Sequence, residues 1–90
     1  MKIYKIEQKA PQKGRLKEGE EKVLKTLFEF ENQDEDIIFV DAIAQTLGMP
    51  KDVARHHCDV LFDAGMINWS GIDSCYLLPL GRSYVMDNLS

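Results

Sequence analysis

The residue types best able to do chemistry in this chain stand together at Arg55-His56-His57-Cys58, with a second thiol at Cys75. Imidazole and thiolate are common zinc ligands, so a metal centre is the first chemistry to weigh. The spacing opposes it. Adjacent residues on a helix point about 100° apart, so His57 and Cys58 do not face one ion together. No C-x-x-C or H-x-x-x-H pair is present. Both cysteines therefore read as small core hydrophobes. Catalysis has no firmer footing. There is no Ser/His/Asp constellation, Gly-rich phosphate loop or carboxylate motif. The expectation is a protein that is not an enzyme and has neither cofactor nor metal.

Charge offers a different chemistry. The ninety residues carry a net −4, but the sign is divided along the chain. Residues 1–17 hold Lys2, Lys5, Lys9, Lys13, Arg15 and Lys17 against Glu7 alone, a net of +5. Residues 18–90 hold five basic and fourteen acidic groups, a net of −9. A basic segment thus precedes an acidic body, and positive charge is what a phosphate backbone demands.

The elements that must position these groups follow from periodicity. Pro11 and Gly14 interrupt residues 7–17, which read as a flexible arm or linker, with Ile3, Tyr4 and Ile6 able to pair as a short strand. One domain over 18–90 follows. Val23, Leu24, Leu27 and Phe28 predict an amphipathic helix over 19–30, with Glu18, Glu20 and Glu21 at its positive end. Residues 29–36 read as a solvated acidic loop, and 37–39 as one brief strand. Val40, Ile43, Ala44 and Leu47 share a second helical face that Gly48 ends. Pro50 starts a third helix, over 50–64, with Ala54, Cys58 and Leu61 inward and Val53, His57 and Phe62 at the edges. Residues 66–69 and 75–78 read as a hairpin around the turn 70–74. Pro79 breaks the second strand, and 80–89 predict a closing helix. The apolar fraction of 44 % suits a folded chain. No apolar run approaches the roughly 18 residues of a membrane span. The opening Met1-Lys2-Ile3-Tyr4-Lys5-Ile6 lacks a signal-peptide h-region, so a soluble cytoplasmic protein with reduced thiols is expected.

Two helices joined by a glycine turn and followed by a hairpin make a helix-turn-helix with a wing. The string V-D-A-I-A-Q-T-L-G-M-P-K-D-V-A-R-H-H-C-D-V-L-F-D-A-G-M-I resembles the DNA-binding core of the MarR-like and ArsR-like winged-helix regulators. Ile43-Ala44, the Leu47-Gly48 turn and Leu61-Phe62-Asp63-Ala64-Gly65-Met66-Ile67 carry the resemblance. Tyr76-Leu77-Leu78-Pro79-Leu80-Gly81-Arg82 is similar to the passage from wing to last helix in that family. The resemblance implies an α+β, mainly α fold: a three-helix core, a short β-hairpin wing and a C-terminal helix. It implies a transcription regulator whose third helix enters the major groove of double-stranded DNA. Lys51, Asp52, Arg55, His56 and Asp59 would face the groove, with Arg55 suited to guanine and Lys51 to phosphate. Lys13, Arg15 and Lys17 of the arm would lie along the backbone or in a minor groove. A palindromic site and a homodimer would fit that scheme.

Three features depart from the family pattern. Asp52, Asp59 and Asp63 share the third helix with two full positive charges. The turn 70–74 has no Arg or Lys. The folded body is net −9, so the usual electrostatic footprint of a DNA-binding domain is absent from it. The ArsR-type metal-sensing cysteine pair is also missing. Val60 and Phe62 stand where the family commonly has charge, and can face a dimer or protein partner, or pack against the N-terminal segment. Trp69 reads as either core anchor or contact residue. The alternative function is an acidic winged-helix protein-interaction module without DNA affinity.

Overall fold

The computed structural model describes residues 16–89. Of the arm expected over 1–17, residues 1–15, with Lys13 and Arg15, lie outside the described residues. The fold is α+β and mainly helical: α1 (Glu18–Asn32), β1 (Ile38–Phe39), α2 (Val40–Leu47), α3 (Lys51–Asp63), β2 (Ile67–Trp69), β3 (Ser74–Leu77) and α4 (Pro79–Tyr84), followed by a π-helical turn (Val85–Leu89). The strands form one antiparallel sheet in the order β1-β3-β2. Ile38 and Trp69 both stand opposite Cys75, and Ile67 stands opposite Leu77.

The helical stripes close on a single core. Val23, Leu24 and Leu27 of α1 meet Val40, Ile43 and Ala44 of α2 and Ala54, Cys58 and Leu61 of α3. Ile38, Ile67, Cys75 and Leu77 cover one side from the sheet, and Val85 closes another. The two expected helix ends at glycine are present: Gly48 and Gly65 adopt left-handed backbone, φ 66 and 77, which costs a residue without Cβ little. Cys58 and Cys75 are fully buried free thiols. Their shared hydrogen bond, and then burial, push the Cys58 thiol far above its ordinary range, so it remains protonated and unreactive.

Two expectations need correction. The first helix runs on to Asn32, two residues beyond the expected end at Phe30 and into the stretch read as loop. The extra turn holds because Phe30 packs against the core and Glu31 accepts two hydrogen bonds from Arg82, both at 2.7 Å. Pro79 does end the strand, but it is also the first residue of α4, where its missing N–H costs nothing. The single closing helix expected over 80–89 is instead α-helical to Tyr84 and π-helical from Val85.

The Arg82–Glu31 pair has a pH consequence. Hydrogen bonding from Arg82 holds the Glu31 carboxyl below its ordinary value of 4.5. The unfolded chain therefore binds a proton that the fold does not. The contribution is complete above the ordinary value and is lost as pH falls through the lower folded value. Glu31→Gln is expected to flatten the acid limb of stability, read as urea midpoints from neutral pH downward. An acid limb as steep as in the parent protein would show that other carboxylates set it.

Candidate nucleic-acid interface

The corner between α2 and α3 sets the geometry. Gly48 turns the chain, and the N–H of Met49 closes α2 on the carbonyl of Ala44 at 3.0 Å. Pro50 stays extended as the N-cap of α3, and its carbonyl accepts the N–H of Ala54 at 3.1 Å. Because Ala54, Cys58 and Leu61 face inward, α3 turns its opposite face out. Lys51, Asp52, His56 and Asp59 are exposed there, with Arg55 half-buried. Asp52 accepts the N–H of Val53 at 3.1 Å. Lys17, also exposed, sits at the N-cap of α1.

The two cations of this face are already engaged. Lys51 Nζ lies 2.9 Å from one carboxylate oxygen of Asp73 and 3.2 Å from Asp41. Arg55 donates to the other oxygen of Asp73. Its guanidinium also lies over the Trp69 ring, 5.1 Å from the centroid, a cation–π arrangement. Hydrogen bonding to Lys51 holds the Asp73 carboxyl below its ordinary range. Hydrogen bonds to Asp73 and Asp41 raise the Lys51 ammonium. The hairpin turn, which lacks Arg and Lys, thus contributes a carboxylate to the face. Asp41 and Asp73 are site residues that sequence reasoning missed, whereas Trp69, read from sequence as core anchor or contact residue, is half-buried beneath Arg55.

His57 lies off this face. Its Nδ1 lies 2.9 Å from Glu20 of α1, and the carboxylate is almost wholly buried. Cys58 points into the core, so the residues first weighed as metal ligands diverge. Val60 is half-buried and Phe62 is 44 % exposed. Two positions apart, they project about 200° apart around α3, so one partner surface does not take both. A groove of about 250 Å³ beside α1 is lined by Thr26, Glu29, Phe30, Gln33 and Thr46. It carries one charge, Glu29, and no His, Lys or Cys side chain that could activate the Thr26 or Thr46 hydroxyl, which makes it a poor competitor to the α3 face.

The chain matches no protein-family model, no curated protein and no solved structure. Its functional reading therefore stands on its own residues. Among the described residues no helix is long and apolar enough to cross a membrane.

Proposed function

We propose that the chain is a winged helix-turn-helix domain that binds double-stranded DNA as a transcription regulator, with α3 in the major groove. One observation carries the reading. The second helix of the α2–α3 corner presents a continuous polar stripe, Lys51, Asp52, Arg55, His56 and Asp59, ahead of a hairpin. An exposed helix face of that kind is what a major groove accommodates, and in this reading the hairpin serves as the wing. In this reading Arg55 reads a guanine edge, Lys51 grips phosphate, and the basic segment ending at Lys17 adds backbone contacts. Asp52 and Asp59 disfavour neighbouring phosphates and thereby sharpen register.

The test is binding to mixed-sequence and enriched duplexes across a salt series. Affinity is expected to fall linearly in log–log form. Arg55→Ala is expected to weaken the preferred sequence by about 1–3 kcal/mol and relax discrimination at one base pair. Unchanged affinity in that variant would remove α3 from the account.

A second reading has its own support. Both cations are engaged by Asp41 and Asp73, and Phe62 stands exposed. That favours an acidic protein-interaction module. Its signature is the absence of DNA binding at low salt, together with loss of a protein complex in a folded Phe62→Asp variant.

A further inference from the structure

We infer that Asp73 occupies the phosphate seat of α3, as a built-in carboxylate that a DNA backbone phosphate must displace. The inference rests on the DNA-binding reading for its ligand. Asp73 divides its two oxygens between the two cations of the face, Lys51 and Arg55. A phosphate offers the same cations two oxygens in similar geometry and carries a full charge of its own, and the Arg55 Nη1 that now meets Asp73 can serve it while Nε and Nη2 stay available to the guanine edge. The seat is preformed. Arg55 is held over Trp69, and Lys51 is steadied by Asp41 at 3.2 Å.

The occupant can leave without unfolding the hairpin. The backbone of Asp73 is fixed, since its carbonyl accepts the N–H of Val40 at 2.8 Å. The turn is clasped beside it by the Ser70 and Ser74 hydroxyls, 2.8 Å apart. The Asp73 side chain itself is 38 % exposed, so it exchanges its partners for solvent by rotation. The device suppresses binding to any polyanion that does not also gain contacts elsewhere on α3. It converts two loose cations into a seat opened only by a competing anion.

Asp73→Asn keeps the shape and removes the charge. It is expected to bind a mixed-sequence duplex about tenfold more tightly at low salt, with a log–log slope steeper by about one. Asp63→Asn makes the same change in net charge at the far end of α3. It is expected to shift affinity by on the order of twofold or less, because screening weakens the more distant charge. A second readout needs no DNA. The chain has one tryptophan, Trp69, and Arg55 lies over its ring, so exchange of the anion on Arg55 registers in its fluorescence. In a titration with inorganic pyrophosphate, Asp73→Asn is expected to respond at about tenfold lower concentration than the parent. If Asp73→Asn binds DNA no better than the parent, or no better than Asp63→Asn, Asp73 merely positions the cations and the inference falls. If neither protein binds duplex but the variant gains pyrophosphate affinity, the seat stands and the DNA reading falls. If neither protein binds duplex or pyrophosphate, both fall.

Discussion

Replacing Gly81 with alanine is expected to destabilise the fold by about 2–3 kcal/mol, the cost of forcing a methyl group into a filled core. Gly81 lies inside α4, where it passes directly over backbone. A Cβ there would stand 2.4 Å from the Met66 carbonyl oxygen, 3.1 Å from its carbon and 3.0 Å from Leu77 Cδ1. The oxygen has no room to retreat. It already accepts the N–H of Leu78 at 2.9 Å, and the N–H of Met66 is tied to Leu61 at 3.0 Å. So α4 itself must move away, carrying Arg82 away from Glu31 and Val85 out of the core. Urea unfolding is the measurement: the midpoint falls while the slope holds, since the surface exposed on unfolding changes little. A shift below about 0.5 kcal/mol would mean that α4 is free to slide, which the Met66 contact does not allow.

That glycine shows what sequence reading reaches and where it stops. Gly81-Arg82 was legible as part of a resembling string, but both physical reasons are tertiary: Gly81 for Met66, Arg82 for Glu31. The helices and the inward stripe of α3 were legible because a 3.6-residue period is a local property of the chain. The corner at Gly48 was legible too, because a glycine between two apolar periods marks a left-handed turn. The continuation of α1 to Asn32 was hidden, since a polar run at a helix end looks like a loop until its partners are known. The state of the candidate site was hidden for the same reason. Lys51 and Asp73 are 22 positions apart, and no local pattern reports that a turn will return its carboxylate to a helix start. Reading the polar stripe of α3 identified the groups on its outer face. It did not reveal that Asp41, Asp73 and Trp69 already meet them.

His57→Leu is expected to cost about 2–4 kcal/mol, because it strands a buried carboxylate. Glu20 is only 5 % exposed. One of its oxygens accepts the Lys17 N–H at 3.2 Å, and the other lies 2.9 Å from His57 Nδ1. Leucine keeps the volume of the site, so the change isolates the lost polar partner from a cavity. The imidazole is also tightly placed. A Cβ on Gly19 would come within 2.6 Å of its ring, so the ring packs directly on the α1 backbone. The pair therefore pins α3 to the first turn of α1. The control is Glu20→Leu combined with His57→Leu. Removing both partners replaces a stranded charge by apolar contact, and is expected to recover most of the loss, less about 1 kcal/mol for the contact to Lys17. A double-mutant cycle would then show at least about 1 kcal/mol of coupling. Strict additivity would place the cost of His57→Leu in packing alone. Coupling would show that the histidine is a structural clasp fixing the angle at which α3 presents Arg55 and Lys51.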